Sequence, residues 1–265
     1  MDLLEAKEKK YGDTITSRHP WETARLNVVK KIISQHIPLQ KGAIVLDIGC
    51  GDTFMVENIA MDYQDVVFYA IDIAFTNDLI KKYKDNMKAK NVFIYRSVEE
   101  FASEVFQTAA LIILTDVIEH IKDDKKFMKE LLQNKFISNS TFFLITVPAF
   151  QFLFCSHDIF LGHYRRYTNT ILKNNLSAAG LHIVNIGYFF FSLLPIRFCQ
   201  VIKEKITGFN MKKISTGLTA WEGSIAQSNF FKNILLTDTS FSFSLKKIGI
   251  NLPGLSNYVI CKKSV

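Results

Sequence analysis

Two glycines and two carboxylates stand where the chain could bind a nucleoside. Gly49 and Gly51 directly follow an apolar, β-branched run that predicts a buried strand and includes Asp47. Glycine allows a tight turn after a strand and lets a ligand approach the main chain without a Cβ in the way. Asp72 ends the next predicted strand, about 20 residues further on, where a carboxylate can bind ribose hydroxyls. The pattern predicts a nucleoside-type cofactor site.

The glycine pattern argues against a dinucleotide. A G-x-G-x-x-G fingerprint requires glycine at position 54, where this chain has Phe54. Without that glycine, a pyrophosphate group approaches the helix N-terminus less easily. A ligand that lacks phosphates does not require the glycine. An NAD-linked oxidoreductase on a similar sheet is kept as the alternative.

A second group of ionisable residues follows the fourth and fifth predicted strands. A histidine whose pKa lies near neutrality can remove the proton of a hydroxyl acceptor. The alternatives are structural: packing at a helix start for His120, a hydrogen-bonded loop for His157 with Asp158, and a carboxylate-paired turn for Arg165-Arg166. The candidate catalytic residues are His120, His157, Asp158, His163, Arg166 and Tyr167.

Alternating apolar strands and amphipathic helices predict a doubly wound α/β sheet. After Pro148 two strands without an intervening βαβ rhythm predict an antiparallel edge. Some 65 residues between these strands predict a helical cap on the substrate side. The predicted strands are 43–47, 66–71, 92–95, 110–114, 142–147, 182–191 and 257–262, and the helices between them include 76–90, 97–106 and a long helix that ends at Phe136. The predicted organisation is a lid and first helix (1–40, with Tyr11 and Trp21 in the lid), a core (41–191 and 256–265) and a cap (192–255).

Composition restricts the partners and the location. The net charge is +7, but the lysines are scattered and form no dense basic tract, so nucleic-acid binding is not expected. Four dispersed cysteines form no C-x-x-C pattern, which predicts a reducing, cytoplasmic location and no metal site. The apolar stretch 186–196 is too short for a membrane span of about 20 residues. The aromatic segment 187–205 is either a core edge or a peripheral contact with the inner face of a membrane.

Several segments together resemble class I S-adenosylmethionine-dependent methyltransferases. The run 45–53 is similar to their first motif, and Asp72 to their ribose-binding acid. The segment 115–123 resembles their D-V-L-E-H-I-x-D run, and 147–149 lies where their fifth strand ends. The segment 157–168 reads H-D-x-x-x-G-H-x-R-R-Y-T, as in some members. Two residues depart from the pattern, Thr53 at the last glycine of the first motif and Ser97 at an aspartate position.

The resemblance implies a Rossmann-like, seven-stranded sheet with an antiparallel last strand, and S-adenosyl-L-methionine as cofactor. It implies methyl transfer by direct displacement to a small-molecule, lipid or glycan acceptor, with oxygen as the expected atom. Two classes without this activity stay open beside it, namely non-catalytic nucleoside-binding proteins and RNA-binding proteins. The implied cofactor residues are Asp47, Ile48, Gly49, Gly51, Asp72, Ile73, Ser97, Val98, Thr115 and Asp116.

Overall fold

One mixed sheet organises the protein, and the computed structural model describes residues 18–208, 221 and 223–264. The strands are β1 (Ile44–Ile48), β2 (Val67–Ile71), β3 (Val92–Tyr95), β4 (Leu111–Thr115), β5 (Phe142–Pro148), β6 (Leu181–Phe189) and β7 (Ser256–Lys263). Their order is β3-β2-β1-β4-β5-β7-β6. The first five strands pair in parallel, and β7 runs antiparallel to both β5 and β6. The predicted doubly wound sheet with an antiparallel last strand is confirmed.

Helices cover both faces of this sheet. They are α1 (Pro20–His36), α2 (Phe54–Ala60), α3 (Asn77–Asn86), α4 (Val98–Glu104), α5 (Asp124–Leu131), α6 (Ser156–Phe160), α7 (Asn169–Ala179), α8 (Leu193–Thr207) and α9 (Ile225–Lys247), with short 3-10 turns at Ile118–His120 and Gln151–Leu153. Strands β1 and β4 are buried along their whole length, as expected for parallel strands between two helical layers. Among the described residues, none of these helices has both the length and the apolar character that crossing a membrane requires.

The core has two main parts, one on each face of the sheet. On one face, Ile33 of α1 and Leu235 of α9 belong to the same buried cluster. On the other, Leu131 of α5 and Leu176 of α7 belong to a second cluster. Among the described residues, α8 and α9 lie between β6 and β7, and α9 packs against α1, where the Lys31 ammonium donates to the Ser240 hydroxyl at 3.0 Å. The segment between β6 and β7 is therefore attached to α1.

The helix after β4 is shorter than the sequence predicts. The pattern predicts a single helix to Phe136, but the chain makes a 3-10 turn, and α5 then ends at Leu131. Asp123 caps α5 by accepting from the Lys126 N–H at 2.9 Å. Beyond α5, the Phe136 carbonyl accepts from the Ala109 N–H at 2.8 Å. The Phe136 carbonyl therefore bonds to the chain just before β4 and not to a helical N–H. The side chain of Phe136 stays buried, but the residue lies in a turn.

The strand order places a crevice at the carboxyl ends of β1 and β4. The chain leaves β1 for β2 and β3 on one side, and it returns through β4 and β5 on the other. In open α/β sheets ligands bind outside the carboxyl ends of the strands where the order reverses in this way. The predicted cofactor and acceptor residues follow these strand ends.

Candidate active site

The turn after β1 is built from glycines that other residues could not easily replace. Gly49 and Gly51 have φ angles of +73° and +63°, in the left-handed region that favours glycine. The Gly49 N–H donates to the Ile71 carbonyl at 2.8 Å. A Cβ at Gly49 would lie 2.7 Å from a methyl group of Val117. The turn is thus held between the ends of β2 and β4.

Asp72 is fixed at the end of β2 by main-chain donors. One carboxylate oxygen accepts from the Gly51 N–H at 2.9 Å and the other from the Ala74 N–H at 3.0 Å. The side chain is only 6% exposed. A carboxylate has about four lone-pair sites, so each oxygen can still accept from a ligand hydroxyl. The arrangement fits a residue that binds a sugar.

Asp47 lies in β1 as a buried carboxylate that lacks donors. The residue is fully buried, and neither oxygen has a hydrogen-bond partner in the described structure. Burial raises the pKa of Asp47 to about 7; the charge of Arg25 opposes this rise, and the negative charges of Asp72 and Asp52 add to it. A bound ammonium group would supply both the donors and the positive charge that this carboxylate lacks. The donor set therefore fits a cofactor that carries an amino group.

The remaining predicted cofactor residues lie at or just beyond the carboxyl ends of β1 to β4. Ile48 is buried in the sheet, whereas Ile73 is 90% exposed beside Asp72. The Ser97 hydroxyl caps α4 by accepting from the Glu100 N–H at 3.1 Å, and Val98 begins that helix. Capping engages the Ser97 hydroxyl, so any ligand contact there is an additional one. Thr115, the last residue of β4, is buried.

Asp116 joins the cofactor crevice to the acceptor side. Its φ of +55° is unusual for a residue other than glycine. Its carboxylate makes an ion pair with Arg25 of α1 at 2.8 Å and accepts from the Thr146 hydroxyl at 3.1 Å. Arg25 is buried, whereas the Asp116 side chain is 22% exposed. The first helix is thereby attached to the carboxyl ends of β4 and β5.

A cavity of about 540 Å³ opens on the acceptor side of Asp116. Its walls are mostly apolar and come from α8, α9 and the start of α1. The predicted residues His120, His157, His163 and Arg166 line the cavity. So does Trp21 of the predicted lid, whereas Tyr11 lies outside the described residues. We call this space the acceptor cavity.

Asp158 organises the loop that contributes the histidines. It is fully buried and contacts His163 Nδ1 at 3.0 Å, Arg166 Nε at 2.7 Å and an Arg197 guanidinium nitrogen at 3.2 Å. Burial alone would raise the pKa of Asp158, but the hydrogen bond from His163 and the two guanidinium charges outweigh it and hold the pKa well below its usual value. Asp158 does not line the acceptor cavity itself. Its contacts are those of a positioning residue.

Tyr167 is a fully buried anchor for the same loop. Its hydroxyl donates to an Asp124 carboxylate oxygen at 2.8 Å and lies 3.3 Å from the Ile118 carbonyl. Burial and the hydrogen bond to Asp124 raise the pKa of Tyr167 far above its usual value. The Tyr164 N–H adds a bond to the Glu119 carbonyl at 2.8 Å. The loop is thus fastened over the end of β4.

His157 presents a neutral imidazole to the acceptor cavity. Burial and the nearby charge of Arg197 lower the pKa of His157 to about 4. Its Nδ1 atom is buried without a hydrogen-bond partner among the described residues. The ring is therefore uncharged at neutral pH and has an unused polar atom.

Sequence reasoning did not single out Glu119 as a site residue. Glu119 is fully buried, lines the acceptor cavity and has no partner for either carboxylate oxygen in the described structure. Burial, assisted by the charge of Asp116, raises the pKa of Glu119 well above its usual value. The signal that could have found it is its position directly before His120 at a strand end, where an acid without an apparent partner is unexpected.

Comparison with known proteins identifies the family. A family model for a methyltransferase domain matches residues 21–186, more than half of the chain. The chain belongs to this family, and the predicted class I methyltransferase, its fold and its cofactor, S-adenosylmethionine, are confirmed. The predicted NAD-linked alternative has no support from this match. No curated protein matches the chain in a sequence search.

Solved structures share the fold at low sequence identity. Coclaurine N-methyltransferase bound to N-methylheliamine and SAH has a TM-score of 0.55 and 13% identity, over 97% of this chain and 74% of that one. The methyltransferase domain of bacterial CtHen1 has a TM-score of 0.52 and 11% identity, over 91% of this chain and 98% of that one. A Haloferax volcanii putative methyltransferase, in a complex with the Trm112 activator, has a TM-score of 0.55 and 10% identity, over 100% and 99%.

Proposed function

We propose that the protein transfers a methyl group from S-adenosylmethionine to an oxygen of a small-molecule, lipid or glycan acceptor. The acceptor cavity carries this proposal. Its volume of about 540 Å³ lies within the usual range for small-ligand sites, roughly 300 to 1,000 Å³. Apolar walls such as Leu193 and Leu235 surround a few polar groups, including His157. Such a site suits a compact organic molecule better than a nucleic acid. The N-methylheliamine of one structural neighbour supports a small acceptor.

The protein's own residues bind and orient the two reactants and exclude water from them. We assign the cofactor to the turn at Gly49 and Gly51, with Asp72 on its ribose and Asp47 near its amino group. The cofactor, when bound, supplies a methyl group on a positively charged sulfur. The aligned acceptor oxygen attacks this methyl carbon, and the C–S electron pair stays on sulfur. Enclosure by α8 and α9 excludes water from the reacting atoms.

Side chains that line the acceptor cavity supply the polar groups near the oxygen. We propose that His157 accepts a hydrogen bond from the acceptor hydroxyl, because its imidazole is uncharged at neutral pH. His120, His163 and Arg166 line the same space. Asp158 and Tyr167, by contrast, act through the residues that they hold in place.

A lipid-linked acceptor is favoured by the surface of α8, which overlaps the segment 187–205. Ile196 lines the acceptor cavity and is 57% exposed, and Phe198 and Ile202 are exposed nearby. Lys203 and Lys205 add positive charge to the same helix. Exposed apolar side chains flanked by lysines are typical of helices that lie in a membrane interface. We propose that α8 contacts an anionic membrane surface peripherally.

Calorimetric titration tests the cofactor site. S-adenosylhomocysteine should bind the wild-type protein, and NADH should not. Asp72→Ala should weaken the binding of S-adenosylhomocysteine at least 100-fold, because it removes the ribose acceptor. Asp78→Ala, at the exposed start of α3, is the matched control and should bind normally. Preference for NADH, or normal binding by the Asp72 variant, would refute the assignment.

Product analysis tests the acceptor. The protein is incubated with S-adenosylmethionine that carries a labelled methyl group and with phenolic, glycan or lipid fractions, and the products are identified by mass spectrometry. A labelled ether or ester supports the proposal, whereas a labelled amine would show that the acceptor atom is nitrogen.

Sedimentation with anionic vesicles tests the membrane contact of α8. Phe198→Glu should reduce binding to the vesicles, and Phe106→Glu, at an 85% exposed position outside α8, should not.

A further inference from the structure

Three potential metal ligands converge at the base of the acceptor cavity. Glu119, His120 and His163 each offer a ligand atom, and these atoms all lie within 4.8 Å of one another. All three residues line the cavity. The two imidazole rings are arranged edge to face, with centroids 4.6 Å apart. We call these residues the Glu-His-His cluster.

The carboxylate of this cluster lacks hydrogen-bond donors. Glu119 is fully buried, and within the described structure neither of its oxygens has a partner. Burying a carboxylate without donors or a positive charge is costly, so such groups normally pair with a cation or coordinate a metal. Arg25, a buried cation of the same site, is instead paired with Asp116.

The histidine on the loop is oriented for coordination. His163 Nδ1 contacts the Asp158 carboxylate at 3.0 Å, which leaves Nε2 as the ligand nitrogen. A carboxylate behind a histidine is the usual support of a metal ligand, because it fixes the tautomer and the ring orientation. Arg166 and Arg197 in turn hold Asp158. The loop is fastened to Glu119 itself through the bond from the Tyr164 N–H.

We propose that Glu119, His120 and His163 bind one divalent transition-metal ion. Two imidazoles and one carboxylate form a three-ligand set that leaves coordination positions open, here on the side of the acceptor cavity. Imidazole ligands suit ions such as Zn²⁺ or Fe²⁺, whereas Mg²⁺ and Ca²⁺ prefer oxygen, and the carboxylate also suits Mn²⁺. Cysteine spacing could not predict this site, because its ligands are histidine and glutamate from two distant segments.

The role of the ion, unlike its binding, rests on the proposed function. An ion at this position would hold an acceptor oxygen and lower the pKa of its hydroxyl. The hydroxyl proton leaves to solvent, the C–O bond forms, and the C–S bond breaks with its electron pair on sulfur. The ion would therefore supply orientation and charge stabilisation without changing its oxidation state.

Metal titration tests the site directly. The protein is first dialysed against a chelator and then titrated with Mn²⁺, and the loss of the free Mn²⁺ signal is followed by electron paramagnetic resonance. Mn²⁺ has little affinity for thiols, so the exposed Cys199 does not interfere. We expect one ion per chain for the wild-type protein. Calorimetry with Zn²⁺ is the second measurement.

Matched variants separate the cluster from adventitious binding. Glu119→Gln and His163→Gln should each weaken Mn²⁺ binding at least tenfold. Glu130→Gln and His182→Gln, at exposed positions outside the cluster, should bind as the wild type does. Thermal unfolding of each variant checks that it is folded. Absence of stoichiometric binding, or equal binding by the cluster variants and the controls, would overturn the proposal.

The same samples are titrated with S-adenosylhomocysteine, so that the two proposals fail separately. Binding of S-adenosylhomocysteine without any ion refutes the metal site and leaves the cofactor site intact. Binding of one ion without S-adenosylhomocysteine supports the metal site and refutes the cofactor assignment. Once an acceptor is known, the rate of methyl transfer is measured before and after chelation. If the protein binds one ion but the rate is unchanged after chelation, the site is supported and its role in the transfer is refuted.

Discussion

The cofactor half and the acceptor half of the active site are built in different ways. Around Gly49 and Asp72, main-chain groups make the decisive contacts, within one strand-helix-strand unit. Around Asp158, side chains of a loop contact side chains of α8. The contact between Asp158 and Arg197 joins residues about 40 positions apart in the sequence. The first half needs particular backbone conformations, and the second needs particular charges. Substitutions should therefore act differently in the two halves.

The largest expected effect is in the cofactor half. Gly49→Val places a side chain on a residue with φ +73° and within 2.7 Å of Val117. We expect the affinity for S-adenosylhomocysteine to fall at least 100-fold, because the turn cannot keep its conformation. Calorimetric titration measures the affinity.

Gly42→Val is the matched control for the turn. Gly42 has a similar φ of +76°, but no atom lies within 4 Å of the place that a Cβ would take there. We expect a loss of about 1 to 2 kcal/mol in the free energy of unfolding from backbone strain, with cofactor affinity retained within about threefold. Equal losses of affinity in the two variants would show that strain alone, and not the position in the turn, matters.

In the acceptor half, Asp158→Asn should destabilise the fold and spare the cofactor site. Removing the carboxylate leaves the buried Arg166 and the half-buried Arg197 without their counter-charge. Breaking a buried pair in this way costs about 3 to 5 kcal/mol, and urea denaturation measures the loss. Affinity for S-adenosylhomocysteine in the folded variant should stay near the wild-type value. A large loss of affinity would mean that the halves are coupled.

The same contrast explains what the sequence predicts. The turn at Gly49 and Gly51 and the acid at Asp72 follow from local rules, because strand ends, glycines and spacing are visible along the chain. The segments 115–123 and 157–168 could be recognised as motifs, but not the contacts between them. The bond from Tyr164 to Glu119 and the convergence of Glu119 with His163 depend on packing between distant segments.

Helix lengths show a second limit of the sequence pattern. The apolar residues before Phe136 continue at helical spacing, so the pattern predicts a helix through them. In the structure Phe136 remains buried, but its carbonyl bonds to Ala109 outside any helix. The periodicity correctly predicted that the Phe136 side chain is buried. It did not predict that the Phe136 carbonyl bonds outside a helix. The structure of 1–17, including Tyr11, lies outside the described residues.

Asp47→Asn should reveal the buried carboxylate of the cofactor half through pH. The folded pKa of Asp47 is raised to about 7 from its ordinary value of 3.8. The folded state therefore binds this proton more tightly than the unfolded state, and the wild-type protein loses stability as pH rises from about 4 through 7. The variant does not have this loss, so without ligand it should be more stable above pH 7, by on the order of 2 to 4 kcal/mol.

Urea denaturation at several pH values measures the difference for Asp47. The gain should shrink toward zero near pH 4, where the carboxyl group is largely protonated in the folded state and still partly so in the unfolded state. Saturating S-adenosylhomocysteine should stabilise the wild type more than the variant, because its amino group pairs with the carboxylate. A gain that does not vary with pH would contradict the raised pKa.

The smallest effect is expected at the apolar wall of the acceptor half. Phe231 is 48% exposed and lines the acceptor cavity, whereas its neighbour Phe230 is 62% exposed and does not line it. Phe231→Ala removes contact with the bound acceptor in both the ground state and the transition state. We therefore expect KM for the acceptor to rise about three- to tenfold with kcat nearly unchanged. Steady-state kinetics measures both constants, and Phe230→Ala should leave them unaltered. A fall in kcat instead would mean that this wall positions the acceptor for attack. The apolar side of the cavity would then share the aligning role that we assign to its polar side.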